Sequence, residues 1–235
     1  MRLLTADEIQ QLFERHVRVN DTREYSHRYS RLPLSQNRRT WRWEGKDIAR
    51  VVAVLEFGGY CAQYHLSARH LLTFNGSGDP ELEHLSFQAH SNFNYEDDPV
   101  RLDLHRLEIP KADYDFAILN QTLEHVYNPI LCLENIREYL APGAYIYANA
   151  PAINIAHSTP FHFYAGFTPT GFACLFRSAG FEVLEIGQWG NLDYLNRLFK
   201  TQAWPDFRQL RSYTSDFNKP VIVWALARKD EGAAI

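Results

Sequence analysis

Cysteine and methionine are scarce in this chain of 235 residues, which holds three of the first and one of the second. Cys61, Cys132 and Cys174 lie far apart with no CxxC pair, so no disulfide framework or thiolate metal site is written into the sequence. Free thiols suit a reducing compartment, and the expected address is cytoplasmic. Long hydrophobic runs are also missing. The longest aliphatic run is the five residues from Val51 to Leu55, against the roughly 20 that a membrane-spanning helix needs. The N-terminus turns polar after Leu3 and Leu4, whereas a secretory signal carries an apolar stretch of about 7–15 residues. No excess of positive charge is present: 24 Lys plus Arg against 28 Asp plus Glu leave a formal charge of −4. That disfavours a general nucleic-acid coat or a polybasic membrane binder. A GxGxxG fingerprint is absent too, which disfavours a nicotinamide dehydrogenase.

What is there suits a folded domain, since 46% hydrophobic and 22% charged residues are enough to bury a core. Thr5 followed by Glu8 reads as a capping box that starts a helix with Ile9, Leu12 and Phe13 on one face. From Arg23 to Arg50, eight basic residues stand against three acidic ones, interleaved with Tyr25, Tyr29, Trp41 and Trp43. Such a segment is either a solvated lid anchored by its rings or a face that meets an anionic, ring-bearing substrate. Beyond it, apolar runs alternate with helical patterns. Val51–Phe57, Leu71–Phe74, Tyr114–Asn120, Ala144–Ala150, Phe181–Gly187 and Val221–Arg228 read as strands. Apolar residues from Leu123 to Leu140 recur at helical steps, and Thr170–Gly180 forms another helix. Strands separated by helices imply a mostly parallel α/β sheet covered on both faces.

Three segments between Leu102 and Asn191 carry a resemblance: LDLHRLEIPKADYDFAILNQTLEHVYNP, REYLAPGAYIYANAP and HSTPFHFYAGFTPTGFACLFRSAGFEV. In this order they resemble the class I S-adenosylmethionine-dependent methyltransferases, small-molecule branch. The resemblance implies a Rossmann-like three-layer sandwich with an antiparallel last strand. It divides the chain into an N-terminal helical cap, 1–50, and a methyltransferase-like domain, 51–235, with an insertion at about 191–219. It also implies S-adenosylmethionine as cofactor and methyl transfer to an oxygen or nitrogen of a small molecule such as a sugar or other secondary metabolite. Nucleic acid and membrane are not expected as partners, and a homodimer is left open.

Ligands of such sheets sit outside the carboxyl ends of the strands at the switch point, which would gather Gly58, Asn75, Asp103 and Asn120 around one crevice. The resemblance places Asp103 beside the adenine amino group, with the Leu104 amide facing a ring nitrogen; a plain loop cap is the alternative for Asp103. VLEFGGYCA takes the place of the family's glycine-rich loop, giving Glu56, Gly58 and Gly59 as cofactor residues. Tyr60 and Ala62 stand where further glycines belong, and Asn75 stands where the family has an acidic residue for the ribose. Those departures keep open a non-catalytic scaffold that has lost the cofactor; an RNA methyltransferase using the basic segment is a second alternative.

His125, His157 and His162 are the candidate catalytic residues, able to take a proton from an acceptor near neutral pH. Tyr164 and Trp204 are the candidate acceptor contacts. Gln121, Glu124, His125 and His157 would be the ligands of a metal in some relatives with E-x-x-E-H. The neutral amide of Gln121 is a poor replacement for a carboxylate at a hard cation, so no metal is expected. The insertion, with Leu192, Tyr194, Leu195, Leu198 and Phe199 at helical spacing, is expected to be an ordered helix at the domain edge, with a lid or a dimer contact as functional alternatives.

Overall fold

The computed structural model describes residues 2–30, 32, 43, 45–74 and 78–231. Asn75, Trp41 and the four arginines at 31, 38, 39 and 42 therefore lie outside the described residues. The capping box forms as expected: the Thr5 amide donates to Glu8 at 2.9 Å and the Glu8 amide to the Thr5 hydroxyl at 3.3 Å, opening helix α1 (Ala6–Leu12). A π-helical turn, Phe13–Val17, then lays Leu12, Phe13 and Val17 on the core. Helix α2 (Arg23–His27) comes next.

The run from Val51 to Phe57 is not a strand. It lies inside helix α3 (Ile48–Gln63), opened by Asp47, whose carboxylate accepts the Ala49 amide at 3.1 Å. The misreading has a physical source. Ile48, Ala49, Val51, Val52, Ala53, Val54 and Phe57 are all buried, and a helix buried all round has no polar face to reveal its period. Gly58 and Gly59 therefore sit mid-helix. A Cβ on Gly58 would collide with the His84 imidazole, so this glycine exists for packing rather than for close approach to a ligand. Helix α3 also runs unbroken through residue 50, so the chain has no break at that expected boundary.

Among the described residues six strands make one sheet: β1 (Ser67–Thr73), β2 (Ser86–Asn92), β3 (Tyr114–Asn120), β4 (Leu140–Pro151), β5 (Phe181–Trp189) and β6 (Ile222–Lys229). Their spatial order is β2-β1-β3-β4-β6-β5. The pairs β1–β2, β1–β3 and β3–β4 are parallel, while β6 lies antiparallel between β4 and β5. The sheet is thus mostly parallel with an antiparallel last strand, the Rossmann-like methyltransferase arrangement. Alternate residues face opposite layers: Leu72, Ala117, Leu119, Ile146 and Ala225 meet helices α4 (Pro129–Tyr139) and α5 (Pro169–Ser178). Leu71, Phe116, Ile118, Tyr147 and Trp224 meet α3 and helix α6 (Leu192–Thr201). Each fully buried large side chain contributes about 1.5–3 kcal/mol, so this two-sided burial is what holds the three layers together.

Two other departures from the sequence pattern have local causes. Strand β2, SFQAHSN, is an exposed edge with no apolar alternation, held by the ladder to β1 and by the Thr73 hydroxyl donating to Asn92 at 2.9 Å. The helix expected from Leu123 onward is split. Leu123–His125 is a 3₁₀ turn, and α4 starts only at Pro129, which fits a first helical turn and not a helix interior. The insertion is ordered. Tyr194 and Leu198 enter the core, whereas Leu192 and Phe199 remain exposed. The segment clasps the N-terminal region through Ile48 N–H to Pro205 O at 3.2 Å and Tyr194 Oη–H to Asp47 at 2.8 Å.

Candidate active site

The chain leaves β1 toward one edge of the sheet and returns to place β3 on the other side of β1, so a crevice opens beyond their carboxyl ends. A cavity of about 260 Å³ lies there. Phe74, Phe93, Tyr95, Tyr127, Phe161 and Phe163 wall it with rings, and Asp103, Leu104 and His105 form one side. These rings come from the loops after β1, β2, β3 and β4. A larger concavity of about 370 Å³ at the α1–α5 edge is polar and carries its own ion pair, Arg177 to Asp230 at 3.0 Å; it lies beside the start of β5 and the end of β6, away from the carboxyl ends of β1, β3 and β4.

Asp103 caps the 3₁₀ turn Leu104–Arg106, accepting the His105 amide at 3.0 Å and His105 Nδ1–H at 2.7 Å. Burial disfavours its charge, but the His105 amide and ring and Arg106 outweigh this and hold the carboxyl below its ordinary value. His105 Nε2 accepts the Asn128 amide at 3.2 Å, which fixes the tautomer, and its ring stacks on Tyr127 at 3.8 Å. Asp103 is thus both a loop cap and a carboxylate at the rim of an aromatic slot. The Leu104 amide lies at the N-terminal end of that turn, where a helix supplies no internal acceptor. A lining of rings beside a carboxylate has the chemistry to take a planar heterocycle with an exocyclic amine, whose N–H Asp103 would accept. The residues present therefore suit the adenine end of a nucleoside cofactor.

The other expected cofactor residues are placed differently. Glu56 is buried on α3 and paired with Arg28 at 3.1 Å, away from the crevice; burial raises its carboxyl and Arg28 opposes that. Gly58 and Gly59 are helical, as described, so the expected loop VLEFGGYCA does not exist as a loop. The segment following β1 is Phe74-Asn75-Gly76-Ser77-Gly78-Asp79, whose central residues lie outside the described ones. Asn75 thus follows the first strand of the sheet rather than the second, which ends at Asn92.

Asn120, at the end of β3, belongs to a buried polar network. Its Nδ2 donates to Asp79 at 3.0 Å and its Oδ1 accepts from Asn149 in a short contact. Asn149 also donates to Glu81 at 3.3 Å and accepts from Gln121 at 2.8 Å, while Arg50 grips Glu81 through two bonds, one of them 2.6 Å. This network stitches together α3, the turn after β1 and the ends of β3 and β4, behind the residues that line the crevice. Sequence reasoning missed it because its members are spread from residue 50 to 149.

Beyond β3 the three candidate histidines come together. Ring centroids are 4.8 Å apart for His125–His157, 4.5 Å for His157–His162 and 6.0 Å for His125–His162. Burial lowers the pKa of His125, the Phe161 carbonyl opposes that, and the two neighbouring imidazoles lower it further. Burial and His157 also lower His162. Trp204 stands edge-on to His157 at 5.4 Å and donates to Asn154 at 2.9 Å. Tyr164 packs on Phe167 and donates to the Tyr127 carbonyl at 3.0 Å, bracing the loop from outside the cavity lining. Glu124, next to His125, is fully buried, and burial pushes its carboxyl up to about 8. Its backbone carbonyl accepts the Phe163 and Tyr164 amides at 2.9 and 3.2 Å, which ties the β4 loop to the β3 turn.

A family model described as a methyltransferase domain matches residues 21–186, well over half of the chain. The chain belongs to this methyltransferase family. The enzyme's methyl donor is accordingly S-adenosylmethionine. Among solved structures, it is similar to the 1,6-didemethyltoxoflavin-N1-methyltransferase of Burkholderia thailandensis, solved with 1,6-didemethyltoxoflavin and S-adenosylhomocysteine. The identity is 16%, over 79% of this chain and 80% of that one, with a TM-score of 0.49. It is also similar to the N-methyltransferase NodS of Bradyrhizobium japonicum, at 11% identity over 80% and 97% of the two chains and a TM-score of 0.46. No curated protein matches the chain in sequence. No helix among the described residues is long and apolar enough to cross a membrane.

The aromatic lining is the functional feature that sequence reasoning missed. Its signal was a concentration of aromatics in the short polar segments after successive strands, at Phe93, Tyr95, Tyr127, Phe161 and Phe163.

Proposed function

We propose that the methyltransferase acts on an oxygen or nitrogen of a small molecule, with the nucleoside end of the donor in the ring-lined crevice and the acceptor on the histidine side. The observation that carries this reading is the crevice at the strand switch point with the Asp103 carboxylate at its aromatic rim. When bound, S-adenosylmethionine supplies a methyl group made electrophilic by its sulfonium. Asp103 and the Leu104 amide orient the adenine, and the rings exclude water. His157 donates Nδ1–H to the Ile155 carbonyl at 2.9 Å, which leaves Nε2 to accept the acceptor's proton. Proximity and alignment supply most of the rate. The grounds for a non-catalytic scaffold weaken, because Tyr60 and Ala62 lie inside α3 and say nothing about the cofactor loop. An RNA acceptor is disfavoured in turn, since Arg28 and Arg50 are taken by Glu56 and Glu81.

Calorimetric titration with S-adenosylmethionine and S-adenosylhomocysteine tests the reading. Binding is expected to weaken about 10–100-fold in Asp103→Ala, as for loss of a hydrogen bond to a charged group. Absence of binding at millimolar ligand by the folded protein would sink the proposal.

A further inference from the structure

We infer that His125, His157 and His162 are the protein ligands of a divalent first-row transition metal of the zinc class, with Glu124 supplying an oxygen beside them. Each of the three residues offers a ring nitrogen, and these atoms all lie within 4.8 Å of one another. A tetrahedral zinc with ordinary bond lengths needs nitrogens about 3.4 Å apart, so side-chain rotations that close the triangle by up to about 1.4 Å are sufficient. Three imidazoles with one carboxylate suit zinc, cobalt, nickel or iron better than magnesium or calcium.

Two features separate this cluster from histidines packed merely as core. The first is tautomer control. His125 donates Nδ1–H to the Phe161 carbonyl at 2.7 Å and His157 donates its own to the Ile155 carbonyl at 2.9 Å. In both rings the Nε2 lone pair is left for a ligand, as the outer hydrogen bonds of metal-bound histidines commonly arrange. The second is unmet demand. Both carboxylate oxygens of Glu124 are buried without a hydrogen-bond partner, and Oε1 lies 3.7 Å from His125 Nε2. Nδ1 of His162 is buried and unpartnered as well. Native proteins rarely leave buried polar atoms unmatched, and a cation at this point satisfies them together. The ligands come from two loops, after β3 and after β4, so the third histidine joins the set only in the folded chain.

His125 also lines the cofactor crevice, so the metal lies where an acceptor would approach. Its consequence for catalysis, in which the metal holds an acceptor oxygen or nitrogen and takes the His157 Nε2 lone pair that otherwise accepts the proton, rests on the methyl-transfer reading; metal binding itself does not.

The test uses the full chain without purification histidines, titrated with zinc against a chromophoric chelator and with cobalt while visible absorption is recorded. One equivalent is expected to bind, with the intense visible bands of a tetrahedral cobalt site. His157→Ala and His162→Gln should each weaken binding by at least about 100-fold, beyond the roughly 10–100-fold cost of an outer partner. Circular dichroism and S-adenosylhomocysteine affinity verify that both variants are folded. No stoichiometric binding by the wild type, or undiminished binding in both folded variants, overturns the site. Metal binding without any cofactor binding overturns the methyl-transfer reading and leaves the site standing; cofactor binding without metal does the reverse.

Discussion

Two polar clusters, one buried and one of half-buried histidines around the buried Glu124, flank the carboxyl ends of β3 and β4, and they are built on opposite terms. In the first, Arg50, Glu81, Asp79, Asn120, Asn149 and Gln121 answer one another donor for acceptor. In the second, Glu124 is buried with no partner for either oxygen, and His125 and His157 each keep a lone pair. A satisfied network rigidifies the scaffold, whereas an unsatisfied one is maintained against its desolvation cost for something that binds there. The first cluster braces the ends of β3 and β4; the second borders the crevice through His125.

The largest effect should come from breaking the first cluster. Glu81→Ala takes both hydrogen bonds from buried Arg50 and leaves it only the Asp79 carboxylate at 3.8 Å, and unfolding in urea should show a loss of about 3 kcal/mol. The matching change in the second cluster should do far less: Glu124→Gln in the metal-free protein removes no hydrogen bond to another residue, so stability should stay within about 1 kcal/mol or rise. A large destabilisation there would mean that Glu124 has a structural partner after all.

The adjacent glycines of α3 sharpen the contrast between scaffold and site. Gly58→Ala drives a Cβ into His84 and should cost about 1–3 kcal/mol. Gly59→Ala meets open space and should stabilise the helix by about 0.5–1 kcal/mol. Neither should change S-adenosylhomocysteine affinity. A selective loss of affinity in both would restore this segment to the cofactor site.

A last effect, read only through pH, concerns Asp47, whose carboxyl is raised by burial to about 6, opposed by the Tyr194 hydroxyl and the Ala49 amide. A carboxyl raised on folding stabilises the protein below its unfolded value, about 3.9, and loses that contribution as pH rises through about 6. Thermal melts should therefore show Asp47→Asn gaining on the wild type between about pH 4 and pH 6. A constant difference across that range would show that Asp47 ionises normally.

The C-terminal part of the site was legible in the sequence because its signals are local. Tyr114–Asn120 is a short apolar run before a turn, and Asp103 caps the turn formed by the residues directly after it, Leu104–Arg106. The N-terminal part was not. Helix α3 has apolar residues on every face, so it reads as a strand; its displacement shifted every later expectation up to β2, an edge strand without apolar alternation.

By itself the sequence determined the alternation of strands and helices from β3 onward, the capping box of α1 and the aspartate at the crevice, since each depends on neighbours a few residues apart. Only the tertiary structure decided that Gly58 serves His84, that Arg50 and Glu81 support Asn120, and that His162 joins His125 and His157. Those relations join residues distant in sequence, and their physics is packing, desolvation and ligand geometry, none of which is defined until the sheet has brought the loops together.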